Sequence, residues 1–239
     1  MSIIITYYIS GKVKFFSTVS MSAVFKKIRT FICSVLFPSS ANIARIERMC
    51  SEEIERELPK QASSPYPFIS SVFNYRNNLV REIVFHIKYR GDILLMDPFG
   101  EILYKELEQK MKKLSSEKFP VLVIPIPLSK KRFRERGFNQ SELLGRSILK
   151  HDKKGLFALS PSLLERTKDT SPQTKLKRGA RLKNVKGCFS VPEEQRKKVE
   201  GKNIVLVDDV STTGSTLKEA RLELLRARAK EVSAITLAH

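Results

Sequence analysis

The segment that most constrains this chain is Ile204-Val205-Leu206-Val207-Asp208-Asp209-Val210-Ser211-Thr212-Thr213-Gly214-Ser215-Thr216, which runs into an amphipathic stretch, Leu217–Arg228. An unbroken β-branched run reads as a strand buried on both faces, which is the habit of a parallel sheet covered by helices. Its end delivers two adjacent carboxylates, then small hydroxyl residues around a glycine, then a helix start. In open parallel sheets, ligands sit beyond the carboxyl ends of the strands. An ordinary helix start needs one Asp, Ser or Thr as its cap; two acids and five small polar positions exceed that need. Two carboxylates can accept hydrogen bonds from a vicinal diol. Backbone N–H groups and hydroxyls from Thr212 to Thr216 can surround a phosphate monoester at a helix N-terminus. Gly214 permits the tight turn and the close backbone approach. A ribose 5-phosphate presents that diol and that phosphate. A Walker-type loop is excluded, because no G-K-[ST] follows.

The rest of the pattern fits the same layout. Val121–Ile126 is a second apolar run, closing on Pro125-Ile126-Pro127, and Val232–Leu237 is a third. Helical spacing predicts helices over Asn139–Leu149 and Thr216–Arg228, so an α/β domain with a mostly parallel central sheet is expected over residues 72–239. Residues 1–71 read as a small helical N-terminal region. A charged helical stretch there, Ala41–Leu58, is ended by Pro59 and the turn-rich run from Ala62 to Pro67. Between the two regions, Leu79, Ile83 and Ile87 recur at helical spacing ahead of Lys88-Tyr89-Arg90-Gly91. A further amphipathic helix is predicted from about Pro98 to Leu114.

Composition sets the outer bounds. With 239 residues, 41% hydrophobic and 29% charged, the chain is built for one sizeable core. Its three cysteines, Cys33, Cys50 and Cys188, are scattered and odd in number, which fits a reducing, cytoplasmic setting without a disulfide framework. No run reaches the ~18 apolar residues that a membrane-spanning helix needs. Residues 1–20 are expected either to lack fixed structure or to be an upstream over-extension, with Met21 as the alternative start. The formal charge of +19 attracts polyanions. Two readings of it stay open, contact with nucleic acid or a lysine-rich compositional background, since no nucleic-acid-binding motif accompanies the charge.

Two more blocks narrow the field. One runs Ile124-Pro125-Ile126-Pro127-Leu128-Ser129, through Arg132, to Arg136-Gly137-Phe138-Asn139-Gln140. The other runs Leu164-Glu165-Arg166-Thr167, through Thr170, Gln173, Leu176 and Arg181, to Asn184-Val185-Lys186-Gly187-Cys188-Phe189. Together with the acid-and-hydroxyl segment, and with Tyr75, Lys88, Tyr89 and Gly91, they resemble the ComF family of competence proteins, which carries a type I phosphoribosyltransferase domain. The resemblance covers roughly residues 70–239.

That resemblance implies a type I phosphoribosyltransferase fold that binds phosphoribosyl pyrophosphate (PRPP) with Mg²⁺ and transfers ribose 5-phosphate to an unidentified nitrogen acceptor. It implies that Asp208 to Thr216 hold the ribose and its phosphate, with Asp208 and Asp209 the catalytic acids. Pro125, Ile126 and Pro127, with Arg132 and Arg136, are expected on the pyrophosphate side. Arg166, Thr167, Gln173 and Arg181 are expected in a mobile loop. A non-catalytic alternative stays open: a PRPP-sensing partner in DNA uptake that works with single-stranded DNA or competence proteins. Self-association is a further open possibility. The chain departs from the family pattern after Leu36-Phe37-Pro38, where the paired cysteines of a zinc ribbon are missing, so no zinc is expected. Cys188 reads as a small core residue. As strand-end acids awaiting a ligand, Asp208 and Asp209 are expected to lack protein partners.

Overall fold

The computed structural model describes residues 2–9, 12–20, 40–62, 64, 66–111, 120–168 and 187–239. It divides into two units, Met1–Ala41 and Asn42–His239. In the first, β1 (Ser2–Ile9) and β2 (Lys12–Ser20) pair as an antiparallel hairpin, with an irregularity between Thr6 and Tyr8. Residues expected to lack fixed structure are therefore paired strands. The second unit begins well before residue 72: helices α1 (Ala41–Ile46) and α2 (Ser51–Glu57) bury Ile43, Ile46 and Ile54 in its main core. The position expected to separate two regions, 71/72, falls inside strand β3 (Ile69–Phe73).

The second unit is organised by a five-stranded sheet. Strands β4 (Val121–Pro125), β5 (Phe157–Leu159), β8 (Asn203–Val210) and β9 (Glu231–Ala238) join β3 in the order β3-β9-β8-β4-β5, and every pairing is parallel. Two short strands, β6 (Glu165–Arg166) and β7 (Phe189–Ser190), form a separate antiparallel ladder. Helices α3 (Asn78–Arg90), α4 (Ile93–Met111), α5 (Lys130–Arg136), α6 (Gln140–His151), α7 (Arg196–Val199) and α8 (Ser215–Arg226) complete the unit.

Because side chains alternate across a strand, β8 feeds two cores. Val205 and Val207 join the cluster built with α3, α4 and α6, whereas Ile204 and Leu206 join the one built with Leu217, Ala220 and Leu224 of α8. Both faces are covered, as the unbroken apolar run requires. Asp208 and Asp209 inherit the alternation and leave the strand on opposite faces. The chain departs β4 toward β5 and β8 toward β9, in opposite directions along the sheet. Between β4 and β8, at their carboxyl ends, lies the crevice where such sheets bind ligands.

Helix α4 starts five residues before its expected position at Pro98. Asp92 explains the early start: its Oδ1 accepts from the backbone N–H of Leu94 at 3.0 Å and, more weakly, from that of Leu95 at 3.4 Å. Burial of Leu95, Met96 and Phe99 offsets the hydrogen bond that Pro98 cannot donate.

Candidate functional site

The turn between β8 and α8 is shaped by Gly214. Its φ is +66°, and a Cβ there would lie 2.5 Å from Cε2 of Tyr66 and 3.2 Å from Cδ1 of Ile69. Only glycine fits both the backbone and the space. As the cap residue of α8 it also offers no side-chain acceptor to the first turn, so the positive end of the helix dipole faces outward. In front of that turn lies a small, shallow hollow open to solvent, lined by Asp208 and by Val210 through Leu217. Thr213 Oγ1 and Ser215 Oγ are 2.9 Å apart. Ser211 is buried; its N–H donates to the Ala238 carbonyl, and its Oγ has no hydrogen-bond partner. A buried hydroxyl without a partner is costly unless a ligand supplies one.

The acid pair is not without partners, contrary to the expectation for strand-end acids. Ser141, fully buried in the first turn of α6, donates to Oδ1 of Asp208 at 2.9 Å, and the Asp209 N–H donates to the same atom at 2.9 Å. Burial, then the neighbouring charge of Asp209, pushes the Asp208 carboxyl up to about 7; the two hydrogen bonds and Lys88 oppose them without prevailing. Asp209, 4% exposed, does not line the hollow. Its Oδ1 accepts from the Val210 N–H at 2.9 Å, and its Oδ2 lies 3.2 Å from Nζ of Lys88 in the last turn of α3.

The β4 end lies one strand away. Ile126 is held at both backbone groups: its N–H donates to the Val207 carbonyl and its carbonyl accepts from Nδ2 of Asn139. Pro125 is buried beside it in register with Val207, and Pro127 is half-buried. Ser129 caps α5, accepting from the Arg132 N–H, and places Arg132 in the first turn. At the other end of α5, Gly137 closes the helix and the Phe138 ring packs against Gly91, where a Cβ would come within 2.8 Å. Arg136 donates to Oε1 of Gln140 at 2.8 Å and lies over the Tyr89 ring, 5.3 Å from its centroid.

These contacts close a ring: Lys88 and Tyr89 on α3, Arg136 on α5, Gln140 and Ser141 on α6, then Asp208, Asp209 and back to Lys88. The R-G-F-N-Q block thus supports the acid pair from behind. Sequence reading gave Lys88, Tyr89, Gln140 and Gly91 no part in the site and missed Ser141 altogether. Its only sign was a serine one position inside a capped helix.

The third block is described only at its ends. Arg166 lies over the Phe189 ring at 5.4 Å, and the Thr167 N–H donates to the Cys188 carbonyl at 3.0 Å. Gln173 and Arg181 lie outside the described residues, as does Cys33. Cys188 is buried, and burial pushes its thiol up. Among the described residues, no group of three or more His, Cys, Asp or Glu could hold a metal ion, and no helix is long and apolar enough to cross a membrane.

The phosphoribosyl transferase domain model matches residues 164–239. The DNA utilization protein YhgH of Escherichia coli O6:H1 is 34% identical over 174 residues, which is 72% of each chain. Competence protein ComFC of Bacillus subtilis is 34% identical over 168 residues, covering 70% of this chain and 62% of that protein. The chain belongs to the ComF family. It spans less than two thirds of the length of that B. subtilis relative. Among solved structures, hypoxanthine phosphoribosyltransferase from Trypanosoma cruzi is 14% identical, with a TM-score of 0.37 over 73% of this chain and 70% of that one. The five-stranded parallel core and the matched domain make this a phosphoribosyltransferase fold.

Proposed function

We propose that this ComF protein binds PRPP with Mg²⁺ and transfers ribose 5-phosphate to a nitrogen acceptor, releasing pyrophosphate. The observation that carries the reading is the hollow at the N-terminus of α8, with the Asp208 carboxylate on its wall and the unpartnered Ser211 hydroxyl beneath. The 5-phosphate sits against the Ser211–Thr216 turn, where the helix dipole and the hydroxyls of Thr213 and Ser215 favour a dianion. The ribose diol donates to Asp208. Pyrophosphate extends toward Pro125–Pro127 and Arg132 in the first turn of α5, whose guanidinium fork suits phosphate oxygens; Arg136, engaged by Gln140 and Tyr89, stays behind the acid pair. Mg²⁺, carried with the pyrophosphate rather than held by protein ligands, would supply charge neutralisation for the leaving group.

In the transfer, the bond from the anomeric carbon to the pyrophosphate oxygen breaks and its electron pair leaves with pyrophosphate. The acceptor nitrogen supplies the pair for the new C–N bond, and its proton passes to solvent. Positive charge develops on the ribose as the leaving group departs. An ionised Asp208 stabilises it more strongly in the transition state than in the ground state. Turnover therefore rises with pH as Asp208 ionises near 7. The test is pyrophosphate release from PRPP across a panel of nucleobases. Release that depends on one base supports transfer; PRPP binding with no release under any base overturns it.

A second reading rests on a separate feature. Helix α5, Lys130–Arg136, carries five basic residues in seven, and its Phe133 is 51% exposed. Cationic side chains interleaved with an open aromatic ring suit single-stranded nucleic acid, and the relatives are named for competence and DNA utilization. On this reading the PRPP site serves as a sensor for a DNA-handling partner. Binding of a single-stranded oligonucleotide that weakens steeply with salt and is lost on Phe133→Ala supports it; no binding at low salt removes it.

A further inference from the structure

Lys88, the ion-pair partner of Asp209, stands behind the acid pair on α3. Its ammonium is drawn to the underside of the site by a long chain of support. Gly91, left-handed at φ +61°, ends α3 against the Phe138 ring, and Arg136 lies over the adjacent Tyr89. Lys88 is 23% exposed and lies 3.2 Å from a carboxylate that is 5% exposed. The charged and titratable groups facing it are Asp209, Tyr75 and Asp208. Burial pulls its ammonium down, and those three neighbours more than compensate, so it stays charged.

We propose that Lys88 is the positioning residue of the acid pair: it fixes Asp209 as a buried anion behind Asp208, leaving Asp208 to meet the ribose diol. This rests on the PRPP reading of the hollow. The alternation along β8 turns Asp209 toward α3, where an unpaired carboxylate would be expensive. Fixed there, Asp209 aims its own N–H at Oδ1 of Asp208, 2.9 Å away. The pair then carries two unequal members: one acid neutralised from within, one open to the ligand. Without Lys88, two adjacent carboxylates would share a poorly solvated site, and one would keep its proton well above neutral pH, where Asp208 is otherwise ionised. A protonated acceptor cannot take both hydroxyl protons of a diol.

The experiment compares wild type with Lys88→Met, Lys88→Arg and the double variant Lys88→Met/Asp209→Asn. Carboxyl carbons of labelled aspartate are titrated by NMR in the unliganded protein, and PRPP–Mg²⁺ affinity is measured from pH 6.5 to 9. Lys88→Met should move the titration of the pair upward by at least one pH unit and weaken PRPP binding about fivefold or more at pH 7, with recovery toward pH 9. Lys88→Arg should stay near wild type. The double variant removes both charges and should return the Asp208 titration to wild type or below; it also serves if the single Met variant does not fold. An affinity loss in Lys88→Met that is the same at every pH would mark a merely structural role and overturn the proposal, as would an unmoved titration. Failure of wild type to bind PRPP would overturn the ligand reading, and the carboxyl titration would then decide the role of Lys88 by itself.

Discussion

Replacing Asp208 with Asn should stabilise the unliganded protein while harming its site. The folded state holds this carboxyl up at about 7, against an ordinary value of 3.8. In the unfolded chain the proton leaves near pH 4; in the folded chain it stays until about pH 7. Between those values the folded state binds the extra proton, so the stability contributed by this group falls as pH rises and levels off above 7. At about 1.36 kcal/mol per pKa unit, the difference sets a ceiling of ~4 kcal/mol at pH 8. Asn keeps the Oδ1 acceptor for Ser141 and for the Asp209 N–H. Solvent reaches Asp208 through the hollow, which lowers the ceiling, so about 1–3 kcal/mol is expected at pH 8. For a domain of this size that raises Tm by about 3–10 °C. Urea melts of wild type and Asp208→Asn at pH 4, 6 and 8, without PRPP, measure it. The advantage of the variant should shrink toward zero at pH 4. A variant less stable than wild type at pH 8, or an advantage that ignores pH, would refute the reasoning.

Ser211→Ala removes a buried hydroxyl with no protein partner, so chemical melts should show stability unchanged or slightly raised, while calorimetry shows PRPP binding about 3- to 10-fold weaker. Gly214→Ala combines a left-handed backbone with a contact of 2.5 Å to Tyr66; it should cost about 2 kcal/mol in the same melts and weaken PRPP binding as well. Asn139→Ala loses the cap on Ser141 N–H and the bond to the Ile126 carbonyl, and about 1–2 kcal/mol of stability should go with them.

The strands legible in the sequence were the interior ones. Val121–Pro125, Asn203–Val210 and Glu231–Ala238 are covered on both faces, so their apolar runs are unbroken. The edge strands Ile69–Phe73 and Phe157–Leu159 are short and interrupted by serines or flanked by polar residues, and they carry no such signal. Helix α5 was illegible because Lys130–Arg136 buries nothing and so has no apolar period. The phosphate turn could be read because Gly214 and its hydroxyl neighbours are contiguous. The support of the acid pair could not: Lys88, Ser141 and Asp209 come from three elements, and only the fold brings them together. The alternation that sends Asp208 and Asp209 to opposite faces follows from the strand itself, yet the paired acids read as two equal ligands.

The central claim is that the hollow at the start of α8 is a PRPP site whose acid is Asp208. Calorimetric titration of the full chain with PRPP and Mg²⁺, wild type beside Asp208→Asn, tests it most directly. Wild type should bind one PRPP per chain, and the variant, folded and at least as stable at pH 8, should bind about 3- to 30-fold more weakly, since a charge-assisted hydrogen bond is worth roughly 1.5–3 kcal/mol against about 1 for a neutral one. Absent binding by wild type, or equal affinity in the variant, would contradict the account.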